Sequence, residues 1–102
     1  MKHPTEKPKL NPLVLIRELI EKNKYKVKAH AIERQIQRSV SLRDTLFVLK
    51  HGIHEGGKDQ FDVKRQSWRY AIRGKTPDNV DIRVVVAVEN LVVIITVIKP
   101  GR

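Results

Sequence analysis

A chain of 102 residues with 40% hydrophobic content is one domain's worth of sequence, enough to bury one modest core. Its 21 Lys and Arg against 11 Asp and Glu leave a net charge of +10, a balance that favours a polyanionic partner such as nucleic acid. There is no cysteine, which excludes disulfides and thiolate metal sites, and no apolar run reaches the roughly 18–20 residues that a membrane helix needs.

Residues 1–10 are basic and contain proline, and they read as a mobile arm without signal-peptide character. A cytoplasmic protein with no membrane partner is expected, carrying a single domain over 11–99. Asn11-Pro12 predicts a helix start, with Asn as N-cap and Pro in the first turn. Leu13, Ile16, Leu19 and Ile20 then face a core at helical spacing, and Asn23 stops the helix. Tyr25–Lys28 alternates, as a short strand or an extended linker would.

The spacing predicts a second helix from about Ala29 to Arg38, with Ala29, Ile32 and Ile36 on its apolar side. His30, Arg34 and Arg38 recur every four residues, so they form one stripe away from that side. The bland reading of the stripe is a solvated charged face. The functional one rests on His30, at a helix N-terminus where the dipole disfavours a cation. A neutral imidazole there can accept a proton, beside arginines that hold a phosphate.

Ser41 and Asp44 resemble a capping box for a third helix, Leu42 to about Lys50, with Leu42, Leu46 and Leu49 inward and Gly52 as the residue after its end. His51-x-x-His54 lacks the further ligands a metal needs and reads as loop histidines, so neither a metal nor a cofactor is expected.

The second half alternates at Ser67–Gly74 and is Val/Ile-rich at Val80–Val88 and Leu91–Ile98. With a shorter strand from residues 53–63, these predict an α+β fold: N-terminal helices on an antiparallel meander of about four strands. A two-residue turn at Glu89-Asn90 sets Val88 against Leu91 and Arg83 against Thr96. The core face is then Trp68, Tyr70, Ile72, Val84, Val86, Leu91, Val93 and Ile95. Arg73, Arg83 and Thr96 form a row on the other face. Two adjacent arginines repel unless an anion or a carboxylate lies between them, so the row either grips a phosphate or is paired by Asp81, Asp62 or Glu55. Lys58, Lys64, Arg65, Arg69 and Lys75 add positive charge to the sheet region and its loops, for which solubility is the bland reading. Trp68 and Tyr70 could stack on bases, but their alternation with Arg69 places them in the core.

The ordered set His30-Ala31-x-x-Arg34-x-x-x-Arg38, Ser41, His51-Gly52, then Ser67–Thr76, Asp81–Val86 and Ile94–Ile98, resembles the small bacterial domains of unknown function numbered 4258. That family is placed by analogy with RelE/BrnT-like toxins and the barnase–colicin–RelE fold group. The resemblance implies a small metal-independent ribonuclease or a non-toxic relative, with RNA on the open sheet face and an antitoxin as a possible protein partner. It carries characteristic polar positions onto His30, Arg34, Arg38, Arg83 and Thr96. His30, Arg83 and Thr96 are thus the expected catalytic residues, and Arg34, Arg38, Arg73, Lys75 and Arg69 the nucleic-acid-binding ones. Two other readings use the same residues: a nucleic-acid-binding module without catalysis, and a domain that dimerises through Val85, Ala87, Val92 and Ile94. Monomer and homodimer both remain open.

Overall fold

The computed structural model describes residues 7, 8 and 10–101; most of the expected arm, residues 1–6 and 9, lies outside them. The elements run α1 (Pro12–Glu21), β1 (Tyr25–Val27), α2 (Ala29–Gln37), α3 (Leu42–His51), β2 (Ile53–His54), a 3-10 turn (Gly56–Lys58), β3 (Gln60–Asp62), β4 (Ser67–Lys75), β5 (Asp81–Val88) and β6 (Val92–Ile98). The fold is α+β. Asn11 caps α1 by accepting from the Leu13 N–H at 2.9 Å. Ser41 and Asp44 cap α3 reciprocally, each side chain 3.0 Å from the other's backbone nitrogen. Asn23, with φ 58, ends the first helical segment in the left-handed region that asparagine tolerates.

The strands lie in the order β1-β6-β5-β4-β2, with β3 also paired to β4. The β4-β5-β6 meander matches the expectation, but the sheet has six strands and is mixed. β1 pairs parallel to β6, Tyr25 against Val92 and Val27 against Ile94. Three alternating residues carry no signal of partner or direction, so the sequence does not indicate the parallel pair. The strand expected over 53–63 is split by the 3-10 turn. At that break Asp59 takes over a ladder position: its Oδ1 accepts the Ala71 N–H at 2.9 Å.

One face of the sheet makes the core. Ile72, Ile82, Val84, Val86, Val92, Ile94 and Val97 pack there against Leu13, Ile16, Leu19 and Ile20 of α1 and Val48 and Leu49 of α3. The β5–β6 register differs from the expectation. The turn holds three residues, so Val88 faces Val92 and not Leu91. One extra residue flips every following side chain, and Val92 and Ile94 take the core positions expected for Leu91, Val93 and Ile95. A bulge then inserts Ile95, so Val85 faces Thr96 and Arg83 faces Ile98. Val85 and Ala87 thus share a face, and Val92 and Ile94 lie on the opposite one. The four do not form the single apolar patch proposed for dimerisation.

α2 is also rotated from its expected phase. Ile32 and Ile36 are 46% and 74% exposed, while Ala31 and Gln35 are buried. Ala31 belongs to the core cluster, and Gln35 Nε2 donates to Thr45 Oγ1 at 2.8 Å, tying α2 to α3. The inward choice goes to a small residue and a hydrogen-bonded amide, against the apolar count. In α3, Thr45 and Val48 are buried beside Leu49, while Leu42 is exposed and Leu46 partly buried.

Candidate nucleic-acid interface

The sheet face opposite the core carries the arginine row. Arg73 and Arg83 are direct cross-strand partners, as the sequence implied. Carboxylates separate them. Arg83 Nε donates to Glu55 Oε1 at 2.6 Å, and Arg73 Nη1 reaches Glu55 Oε2 at 3.4 Å. Arg73 also grips Asp81 with two hydrogen bonds, at 3.1 and 2.6 Å. Glu55 comes from the break between β2 and β3, and its place between the two arginines removes their repulsion. Thr96 shares the face but stands opposite Val85, one diagonal step from Arg83. Lys75 is exposed at the end of the row, opposite Asp81.

The Arg83 hydrogen bond holds the Glu55 carboxyl below its ordinary 4.5. The Arg73 hydrogen bond does the same for Asp81, ordinarily 3.8. Both groups are more acidic folded than unfolded. The stability they add is full above the unfolded values and is lost as pH falls through the folded ones. The melting temperature of the wild type should therefore fall on acidification from roughly pH 5 to pH 3. Glu55→Gln should cost about 1–2 kcal/mol at neutral pH, since its amide oxygen still accepts one guanidinium bond. Its acid-induced loss should be smaller than that of the wild type. Parallel thermal melts across this range test both, and identical pH profiles would dismiss the Glu55 linkage.

A second feature of the same sheet face lies beside β6. Lys28, His30, Arg65 and Arg69 line a cleft of about 270 Å³ together with Glu89, over a floor of Ala87, Val93 and Ile95. Its basic side chains come from three separate segments. Lys28 stands at the N-terminal end of α2 and His30 in its first turn, and α2 packs along β6. Arg65 lies between β3 and β4, and Arg69 on β4. Arg69 Nη2 is bonded to Asp62 at 2.8 Å, while its Nε is buried without a partner among the described residues. The Arg69 side chain is 36% exposed, and a guanidinium oriented by Asp62 suits an anion. His30 is exposed, and its Nε2 accepts from Arg34 Nε at 3.4 Å. Arg34 Nη1 is held by Gln37 Oε1 at 2.6 Å. Arg38, one turn further on, is half-buried.

The structure thus brings His30 together with Arg34 and with Arg69. The carboxylate-bound row of Arg73 and Arg83 stands apart as its own cluster. The sequence reading gives Lys28 and Glu89 no part in a site and counts Arg65 only among the general positive charge of the sheet region. Lys28, two residues before His30, was the one with a local signal. Arg65 and Glu89 are loop residues that only strand pairing brings there. Of the two histidines weighed for a metal, His51 packs on the Phe47 ring at 4.5 Å, and His54 Nε2 lies 2.7 Å from Asp59 Oδ2. Among the described residues no group of three His, Asp or Glu side chains is placed to hold a metal ion, and no helix is long and apolar enough to cross a membrane.

Residues 27–99 match the family described as Domain of unknown function (DUF4258). The chain belongs to the DUF4258 family. No curated protein and no solved structure matches it. The DUF4258 segment holds every residue lining the basic cleft and the whole arginine row, whereas α1 precedes it. α1 is nonetheless built into the domain: Arg17 donates to the carbonyls of Leu49 and Gly52, at 3.2 and 2.7 Å, satisfying the end of α3.

Proposed function

We propose that this DUF4258 domain acts on RNA in the cytoplasm, with the cleft beside β6 holding a backbone phosphate, as a metal-independent ribonuclease of RelE/BrnT-like type. The observation that carries the reading is the convergence of Lys28, His30, Arg65 and Arg69 on one cleft. In this reading His30 takes the proton of a ribose 2′-hydroxyl, whose oxygen attacks the adjacent phosphorus to form a 2′,3′-cyclic phosphate, while the bond from phosphorus to the 5′-oxygen breaks and that oxygen leaves with a proton from water. Arg69, Arg65 and Lys28 stabilise the charge that develops on the phosphate oxygens. Arg34 occupies His30 Nε2, so it swings away when that nitrogen serves as base, and becomes a further phosphate ligand. Arg73 and Arg83, already held by carboxylates, have the smaller share.

The test is incubation of purified protein with mixed RNA, comparing wild type with His30→Ala, Arg69→Ala and Arg83→Ala. Cleavage should be lost with His30→Ala and reduced with Arg69→Ala. Equal cleavage by all four proteins, or none by wild type, would sink the catalytic reading. Loss in Arg83→Ala alone would move the site to the arginine row.

The bond from Arg34 to His30 favours a second reading, phosphate binding without cleavage. Binding should then weaken with salt, by a log–log slope of about −0.7 per phosphate contact on single strands. Arg69→Ala should reduce both the affinity and that slope. Affinity indifferent to salt would defeat both readings.

A further inference from the structure

We propose that the loop between β2 and β3, together with Trp68, forms a receptor for a lysine ammonium, filled in this chain by its own Lys7, and that this charge clasps the N-terminal arm onto the sheet. Lys7 Nζ lies 3.1 Å from Asp59 Oδ2 and 2.9 Å from the Gly56 carbonyl oxygen. It also stands 5.3 Å from the centre of the Trp68 ring. An ammonium has three donors and is drawn to an indole face within about 6 Å, so a carboxylate, a carbonyl and a ring make a complete seat for it.

The seat is built independently of its occupant. The Asp59 side chain is fully buried, at 0% exposure. Its Oδ1 is committed to the Ala71 N–H at 2.9 Å, and its Oδ2 also meets His54 Nε2 at 2.7 Å. Phe61 props the indole edge-to-face at 5.5 Å. A buried carboxylate fixed by the strand ladder is a costly group to leave without a cation, and Lys7 supplies one.

The clasp has a consequence for the neighbouring surface. Pro8, Leu10 and Asn11 form one side of an apolar cleft of about 600 Å³ whose other walls include Trp68, Tyr70 and Val14. Holding Lys7 holds that side in place and covers a face of the indole that a stacking ring would use. Neutralising Lys7, as acetylation does, removes both the ion pair and the attraction to the ring. The side chain is 35% exposed and within reach of such a change. Lys7 is therefore a site at which loss of one charge frees the arm and uncovers Trp68.

Trp68 is the only tryptophan, so its fluorescence reports the clasp. The experiment compares acrylamide quenching of the full chain as wild type, Lys7→Gln and Lys7→Arg, with circular dichroism melts confirming that all three fold alike. Lys7→Gln should raise the open population about fivefold, and with it the quenching, as loss of one partly buried ion pair would. Lys7→Arg, which keeps the charge, should quench as wild type does. Equal quenching by all three would overturn the clasp. Raised quenching in both variants would overturn the role of charge. The measurement needs no RNA, so its failure leaves the ribonuclease reading untouched, and the reverse.

Discussion

Gly52→Ala should lower the stability of this domain by about 2–3 kcal/mol, the upper part of the range for overpacked sites, and its melting temperature by about 10–20 °C. A Cβ at Gly52 would stand 2.6 Å from the Arg73 carbonyl oxygen and 2.7 Å from that of Val48. Both are backbone atoms, one in β4 and one in α3, so neither can rotate away. Gly74 completes the contact from the strand side, where a Cβ would come within 3.0 Å of the Gly52 Cα. The conformation is not the reason for the glycine: φ at Gly52 is −79° and suits any residue. The sequence reading places Gly52 as the residue just after the helix end. The structure shows a residue that lets the end of α3 lie directly on β4. Gly57→Ala is the control, because nothing lies within 4 Å of a Cβ there. Equal melting temperatures for the two variants would show that α3 and β4 are not in such close contact.

Ile94→Ala should cost about 3–4 kcal/mol, and Ile95→Ala about 1 kcal/mol or less. Ile94 is 0% exposed and packs in the core opposite Val86, so its removal leaves a cavity that the sheet cannot collapse. Ile95 is the inserted residue of the bulge, half-buried on the far face, where it lines the floor of the basic cleft. A strictly alternating strand after a two-residue turn would reverse the ranking, with Ile95 in the core. Chemical denaturation of the two variants therefore tests the three-residue turn and the bulge together. An Ile95 variant less stable than the Ile94 variant would refute the register described above.

Local chemistry in the sequence was legible where neighbours within one turn supply the partners. Asn11-Pro12, Asn23 and the Ser41/Asp44 pair each mark a helix end that the structure places where they stand, because a cap is satisfied by backbone within a few residues of it. The apolar spacing of α1 was equally plain: Leu13, Ile16, Leu19 and Ile20 recur at helical spacing on the buried face, with Val14 and Leu15 left exposed beside it. α2 was misread for the opposite reason. Its inward face is chosen by closeness to β6 and by the hydroxyl of Thr45 on another helix, and neither is visible in nine residues.

The candidate site divides in the same way. The charge of +10, the four-residue spacing of His30, Arg34 and Arg38, the pairing of Arg73 with Arg83, and membership of the DUF4258 family through residues 27–99 can all be read from the residues in order. These depend on composition, helical period and strand alternation, which are properties of short stretches. What the charges meet depends on the folded chain. Glu55 reaches Arg83 across 28 residues of chain and turns an apparent phosphate clamp into a paired cluster. Arg65, Arg69 and Glu89 join Lys28 and His30 from distant segments to form the cleft. A guanidinium carries the same charge wherever it lies, but whether it faces a carboxylate or an open cleft is set by strand register and the placing of loops, which long-range packing determines.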